Sequence, residues 1–288
     1  FGLEELGRAA WITMVLVAAA AIAVIRWPVS WLSKRRRFTV ALAEGVVKGF
    51  EALGPTFVKL GQFMASSPGV FPPVLADACL RLLDGVPAVP AHKARRLVER
   101  DLGGSIAELF RSFDDVPLSA ASVAQVHACV LPDGREAVVK VQRPEIRRRM
   151  RVDLRVAYTG AALLERFFEF FRIANATAVV RDLNDLTAQE LNSAAEALRQ
   201  ERFRDNLYVF GDNSHVMVPE IFWSHCGPRV ICMERVRGTP VGRIMSDDLA
   251  TVDSELQLRR GVKVWLEAVV LHGPFHGDVH AGNLWELD

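Results

Sequence analysis

The chain has 288 residues, enough to build two lobes around a sizeable apolar core. Half of its residues are hydrophobic, and 35 Lys and Arg side chains stand against 34 Asp and Glu, which gives a formal net charge of +1. This balance argues against nucleic acid as a main partner, because binding to phosphate backbones leaves a strongly basic surface. The one strongly basic run, Arg143–Arg155, is tempered by Glu145 and Asp153 and indicates a solvated helix face.

An uncharged apolar run from Ala9 to Ile25 predicts a membrane-associated helix. As an α-helix it would be about 26 Å long, slightly less than the ~30 Å hydrocarbon core of a bilayer. Glu4 and Glu5 precede the run, which argues against a secretory signal peptide. The cluster Lys34–Arg37 follows it and should stay on the cytoplasmic side. We expect this segment to span or lie on a membrane, with the folded domain facing the cytoplasm; the alternative is a buried or hairpin-forming helix.

Helical periodicity and helix terminators predict several helices. Phe38–Leu53 has apolar residues at helical spacing and is followed by Gly54-Pro55, a strong terminator. Thr56–Met64 is predicted as the next helix. A single long helix is predicted from Asp182 to Val209, and another from Leu256 to Leu271.

Two β-prone runs flank the turn Pro132-Asp133-Gly134 and predict a β-hairpin. They extend from Val123 to Leu131 and from Glu136 to Val141. The second run contains Lys140 and resembles the V-A-I-K strand of kinases, whose lysine contacts the α- and β-phosphates of ATP. A lone lysine on an edge strand usually serves solubility, but the order of the motifs favours phosphate binding here.

The expected glycine-rich phosphate loop is absent upstream of this lysine, because no Gly occurs between Gly104 and Gly134. The alanine-rich segment Ser119–Gln125 stands in its place. Alanine adopts positive φ far less readily than glycine, so we expect a stiffer backbone near the phosphates. The predicted nucleotide contacts in this segment are Ala120, Ala121 and Ser122.

Two further strands are predicted at Val216–Trp223 and Arg229–Val236. Met233 and Glu234 lie in the second strand, at the point where a kinase-like fold connects its two lobes. We therefore predict that both residues contribute to nucleotide binding.

The segment His276–Asn283 is the most informative part of the sequence. It places Asp278 five residues before Asn283, which is the spacing of the protein-kinase catalytic loop H-R-D-x-x-x-x-N. In that loop the Asp orients the attacking hydroxyl and the Asn holds Mg²⁺, so Asp278 is the predicted catalytic residue and Asn283 the predicted metal ligand. The alternatives are an ordinary polar turn and a metallohydrolase site built on His276, Asp278 and His280.

Taken in order, these motifs resemble the UbiB family of atypical kinase-like proteins. A further match is the K-x-G-Q motif Lys59-Leu60-Gly61-Gln62, which precedes the alanine-rich segment. The resemblance covers about residues 38–288 and implies an α+β, bilobal protein-kinase-like fold with a helical N-terminal extension. It also implies binding of ATP and Mg²⁺, and support of isoprenoid quinone or related prenyl-lipid metabolism, with the membrane, a prenyl lipid or lipid-biosynthesis proteins as partners.

The resemblance also assigns roles to individual side chains. Lys140 would contact phosphate, and Glu196 would be its ion-pair partner on a regulatory helix. Glu190 would pair with Lys59 of the K-x-G-Q helix, and Gln62 would line the same pocket. On one continuous helix the two glutamates would point about 120° apart, so they would not compete for one partner.

Two departures from the family pattern are present. Asn192 replaces the Asp of an E-x-D motif, which keeps an oxygen acceptor but removes the charge. No D-F-G motif occurs between Asn283 and Asp288, so we expect a fragment that ends inside the C-terminal lobe and has no metal-dependent turnover of its own. The expected divisions are a membrane segment (1–37), a helical extension (38–112), a kinase-like N-lobe (113–236) and the start of the C-lobe (237–288).

Three functions are consistent with these motifs. The first is an atypical kinase or ATPase, the second a small-molecule kinase of the aminoglycoside or choline type, and the third a nucleotide-binding pseudokinase that grips a lipid or a partner. Hydrolysis of ATP that depends on Asp278 distinguishes the enzymes from the scaffold. The sequence specifies neither the lipid, nor the phosphoryl acceptor, nor the oligomeric state.

Overall fold

The computed structural model describes residues 2–32, 38–67, 69–83, 87–209, 211–241, 254–275 and 284–287. The helices are α1 (Leu3–Leu32), α2 (Phe38–Leu53), α3 (Pro55–Ala65), α4 (Pro73–Cys79), α5 (Ala91–Leu102), α6 (Ile106–Leu109), α7 (Ile146–Phe167), α8 (Glu169–Ile173), α9 (Ala176–Glu190), α10 (Ser193–Val209) and α11 (Ser254–Glu267). The strands are β1 (Ser112–Phe113), β2 (Ser119–Ala120), β3 (Ala124–Val130), β4 (Glu136–Gln142), β5 (Val230–Glu234), β6 (Gly238–Pro240) and β7 (Trp285–Leu287).

The chain forms two compact units that interleave along the sequence. The first unit comprises residues 1–90, 119–125 and 142–191. The second unit comprises residues 91–118, 126–141 and 192–288.

In the first unit, the predicted boundary between α2 and α3 is confirmed. Gly54 has φ 98°, a conformation that glycine adopts without steric cost, and Pro55 begins α3 with its fixed φ. A Cβ on Gly54 would lie 2.7 Å from Nη2 of Arg149. That guanidinium donates to the carbonyl oxygen of Leu53 at 2.9 Å, so it satisfies a carbonyl at the end of α2.

Helix α1 is longer than the predicted run Ala9–Ile25 and packs one face on α2. Ile12 on that face is buried in the same apolar cluster as Val47 and Phe50. Leu3–Ile22 is the one segment in the described part of the chain that is long and apolar enough to cross a membrane. The outer face leaves large apolar side chains exposed, among them Leu3, Leu6, Trp11, Met14, Val17, Ile22 and Ile25.

A buried polar network fixes the first turns of α1 to the rest of the unit. The carboxylate of Asp153, on α7, is fully buried. Its Oδ1 accepts a hydrogen bond from Nε of Arg8 at 2.5 Å, and its Oδ2 accepts one from Oγ1 of Thr56 at 2.6 Å. Arg8 also donates to the carbonyl oxygen of Leu53 at 2.8 Å. The buried charge is thereby paired at both oxygens, as burial of a carboxylate requires.

The second unit is built on an antiparallel sheet with the strand order β1-β3-β4-β5. The predicted β-hairpin is confirmed as β3 and β4, with Gly134 at φ 92° in the turn. The core on one face of the sheet contains the fully buried Val139, Val141 and Val98, the last from α5.

The long helix predicted from Asp182 to Val209 is wrong, because α9 ends at Glu190 and α10 begins at Ser193. Asn192 caps α10, and its side-chain oxygen accepts a hydrogen bond from the N–H of Ala195 at 3.1 Å. Asn is disfavoured inside helices and favoured at N-caps for this reason. The two glutamates of the predicted site therefore lie on separate helices, and their expected angular relation on one helix does not apply.

The strand predicted at Val216–Trp223 is also wrong, because only Ile221 forms an isolated β-bridge, with Met233. A 3₁₀ turn at Trp223–His225 ends the extended segment. The strand predicted over Arg229–Val236 is confirmed in the shorter form of β5.

Replacing Asp153 by Asn should lower the free energy of unfolding by about 3 kcal/mol, because Arg8 would be left without a compensating carboxylate. Urea denaturation followed by circular dichroism measures this change. Asp182→Asn, an exposed position on α9, is the matched control and should change stability by less than about 0.5 kcal/mol. Equal stability of the two variants would contradict the role of the network.

Candidate functional site

Lys140 and Glu196 form an ion pair within the second unit. Lys140 lies on β4 opposite Ile231 of β5, and its Nζ donates to Oε1 of Glu196. Glu196 lies in the first turn of α10, where the helix dipole favours a negative charge. The two side chains are 30% and 31% exposed, so a dissolved ligand can reach the pair.

The sheet orients Lys140 away from the core. Its neighbours Val139 and Val141 are buried in the apolar cluster, and side chains alternate between the faces of a strand. The ammonium group is therefore carried by a rigid backbone and turned toward a carboxylate. An oriented ammonium with accessible donors is suited to bind anionic oxygens such as those of phosphate.

Lys59 and Glu190 form a second ion pair, within the first unit. Lys59 lies on α3, and its Nζ donates to Oε1 of Glu190, the last residue of α9. The side chains are 19% and 39% exposed, so the pair is not buried as a whole. Oε2 of Glu190 is shielded from solvent and has no hydrogen-bond partner among the described residues.

Gln62 follows on the same helix as Lys59 and contacts the alanine-rich segment. Its Nε2 donates to the carbonyl oxygen of Leu82 at 2.8 Å. Its Oε1 accepts a hydrogen bond from Oγ of Ser122 at 3.4 Å. The K-x-G-Q motif thus touches the segment predicted to replace the phosphate loop.

Within the alanine-rich segment, both backbone polar groups of Ala121 are occupied. Its N–H donates to the carbonyl oxygen of Ala124 at 2.8 Å, and its carbonyl accepts from Nε of Arg143 at 2.9 Å. Arg143 also donates to the carbonyl oxygen of Pro87 at 2.8 Å. Ala120 ends β2 just before this turn. In this conformation Ala121 offers no free N–H to a phosphate.

Met233 and Glu234 lie at the end of β5, opposite Val138 and Ala137 of β4. The N–H of Glu234 donates to the carbonyl oxygen of Glu220 at 2.9 Å. Its carboxylate accepts from the N–H of Glu220 at 3.2 Å. The backbone donor of Glu234 is therefore already used within the second unit.

Gly61 is a site residue whose role the sequence did not reveal. A Cβ at this position would lie 2.2 Å from Cδ1 of Leu82 and 3.3 Å from Cδ2 of Phe50. Glycine therefore allows α3 to pack closely on its neighbours, which sets the position of Lys59 and Gln62. The available signal was the glycine itself, since glycine inside a helix costs about 1 kcal/mol relative to alanine.

The segment predicted to carry out catalysis, His276–Asn283, lies outside the described residues. This applies to Asp278 and Asn283, and to His276 and His280 of the alternative metal site. Within the described ranges, no three His, Cys, Asp or Glu side chains lie close enough to hold a metal ion.

Comparisons with known proteins agree on one group of relatives. The sequence profile of the ABC1 atypical kinase-like domain matches residues 81–286. The probable protein kinase UbiB of Marinobacter nauticus is 34% identical over 259 residues, which cover 90% of this chain and 45% of that protein. The uncharacterized protein Rv0647c of Mycobacterium tuberculosis is 35% identical over 277 residues, which cover 93% of this chain and 57% of that protein.

A solved structure is also similar. The complex of Rv3197 with erythromycin, from Mycobacterium tuberculosis, matches with a TM-score of 0.52 and 28% sequence identity. The match covers 80% of this chain and 56% of that one. The chain spans about half the length of the curated relatives it matches.

Gly61→Ala should lower the free energy of unfolding by about 1–3 kcal/mol, because the added methyl group overlaps the side chain of Leu82. Gly160→Ala, on α7, is the matched control. A Cβ there meets nothing within 4 Å, so this variant should gain about 0.5–1 kcal/mol from helix propensity. Denaturation midpoints measure both changes, and a stabilised Gly61→Ala protein would show that close packing of α3 is not required.

Proposed function

We propose that this chain, which belongs to the ABC1 atypical kinase-like family, forms the nucleotide-binding part of an atypical kinase or ATPase. Membership confirms the predicted resemblance to UbiB proteins and the predicted α+β kinase-like fold. We propose this activity for the whole protein. This chain matches about half the length of the relative from Marinobacter nauticus. The observation that carries the proposal is the ion pair between Lys140 and Glu196.

In this proposal, Lys140 binds phosphate oxygens of ATP. An ammonium group has three donors, so Lys140 can keep Glu196 as a partner while it contacts a phosphate. Asn192 fixes the start of α10, and the capped helix fixes the direction of Glu196. The pair is accessible and pre-oriented, which are the two properties that binding of a charged ligand requires.

We assign the chemical step to the segment outside the described residues. Asp278 would orient the acceptor hydroxyl or water, and Asn283 would hold Mg²⁺. When bound, Mg²⁺ supplies positive charge against the phosphoryl oxygens. The support for these two roles is the spacing of the motif in a chain of this family.

We assign a regulatory role to Lys59, Gln62 and Glu190. Their contacts connect α3 to α9 and to Ser122 of the alanine-rich segment, all within the first unit. A displacement of α3 would therefore alter the segment that stands in place of the phosphate loop. The candidate nucleotide contacts still include Ala120, Ala121, Met233 and Glu234. For Ala121 and Glu234 the contact would use a group other than the backbone N–H, which already has a partner.

We propose a prenyl lipid or quinone precursor as the metabolic context, supported by the similarity to proteins named UbiB and by the exposed apolar face of α1. Arg8 holds the first turns of α1 on the folded unit through Asp153. We therefore propose that α1 lies in the membrane surface rather than crossing it, with the kinase-like domain on the cytoplasmic side.

Lys140→Ala should weaken Mg-ATP binding by roughly tenfold or more, because a charge-assisted contact is lost. Isothermal titration of the 288-residue chain with Mg-ATP measures the affinity. Lys93→Ala, an exposed lysine on α5 of the same unit, is the matched control and should bind like the parent protein. Identical affinities of the two variants would remove Lys140 from the nucleotide site.

Val17→Asp should reduce binding to phospholipid vesicles at least about fivefold, because a charge would be placed on the exposed apolar face of α1. Vesicle co-sedimentation measures binding, and alkaline carbonate should release the parent protein, as expected for a surface-bound helix. Val116→Asp, at another exposed valine, in the second unit, should have no effect. Resistance of the parent protein to carbonate would instead indicate a spanning helix.

A further inference from the structure

The first unit contains a cavity of about 640 Å³, open to solvent, that the proposed nucleotide function does not use. Its walls come from the first turns of α1, from α7 and from α9. Three arginines line it, Arg151 and Arg155 of α7 and Arg181 of α9. A volume of this size is in the range of small-molecule sites in proteins.

The basic run of α7 is more than the solvated face that its sequence indicates, because most of its arginines have structural partners. Arg147 and Arg149 donate to the carbonyl oxygens of Leu191 and Leu53, which end two helices. Arg151 differs from them. It makes no hydrogen bond or ion pair with any residue in the described ranges, yet it lines the cavity.

The other two arginines of the cavity are held in place by neighbours. Arg155 pairs with Glu5 at 3.0 Å. Arg181 donates to the hydroxyl of Tyr158 at 2.8 Å, and its guanidinium lies 5.3 Å from the centre of that ring. Among the described residues that line the cavity, the acidic ones are Glu5 and Asp185, so the three arginines leave a positive excess of one.

Part of the lining of the cavity is apolar. Leu154 is 6% exposed and belongs to a buried cluster against which Val180 packs. Both residues line the cavity. A lining that combines arginines with apolar side chains suits an anion that carries an organic group. Guanidinium groups match the oxygens of phosphate by paired hydrogen bonds.

We propose that this cavity binds a phosphate-bearing ligand. Its phosphate contacts Arg151 and Arg181, and its organic part lies on Leu154 and Val180. The phosphate belongs either to a dissolved ester or to a lipid headgroup, since the first turns of α1 form part of the wall. The proposal is independent of ATP binding by the second unit.

The test uses the 288-residue chain with Lys140→Ala, which removes the phosphate-binding lysine proposed for the second unit. Two probes separate the sources of phosphate. Inorganic pyrophosphate is titrated by calorimetry, and phosphatidylcholine vesicles are compared with and without phosphatidic acid by co-sedimentation. In this background, Arg151→Ala should weaken binding of the phosphate probe by roughly tenfold, because one charge-assisted contact is lost.

Arg166→Ala is the matched control, since Arg166 is an exposed arginine of α7 that does not line the cavity. Loss of pyrophosphate binding in Arg151→Ala alone supports a dissolved ligand. Loss of the preference for phosphatidic acid in Arg151→Ala alone supports a lipid headgroup. Absence of binding to both probes, or equal binding by the two arginine variants, overturns the proposal.

Discussion

The break between α9 and α10 is the constraint on which both ion pairs depend. The carbonyl of Leu191, at the end of α9, accepts hydrogen bonds from Nε2 of Gln142 at 2.8 Å and from Arg147 at 2.6 Å. Asn192 then caps the start of α10. On one continuous helix, the angle between the side-chain directions of Glu190 and Glu196 would be fixed. Two separately anchored helices allow each glutamate to face its own lysine, one in each compact unit.

The exposure of these pairs connects their energetics to the proposed binding role. Ion pairs that remain open to solvent contribute only about 0–1 kcal/mol, whereas fully buried pairs are expensive to separate. Lys140 and Glu196 are each about 30% exposed, so the ammonium can take a further partner at little cost to the fold. A ligand phosphate can then join Glu196 as a second partner of the ammonium without a loss of stability in the unit.

Local signals predicted local structure, and long-range contacts were accessible only through family resemblance. Gly54-Pro55 and the turn ending at Gly134 restrict the local backbone conformation without contacts to distant residues. The boundary of α2 and the β-hairpin were therefore predictable from the sequence. Lys59 and Glu190 are 131 positions apart, and no periodicity connects them. In the sequence, Asn192 resembles a substituted motif position, because an N-cap is recognisable only when the helix break is already known.

The network around Asp153 joins parts of the chain that are synthesised at different times. Arg8 precedes Asp153 by 145 positions, so α1 leaves the ribosome long before its buried partner exists. At 5–20 residues per second the delay is roughly 7–30 s. Helix α2 follows α1 closely and covers the face that carries Ile12, whereas the outer apolar face stays exposed throughout. The membrane attachment that we propose for α1 would therefore not depend on α7, and it would be free to begin before the first unit closes.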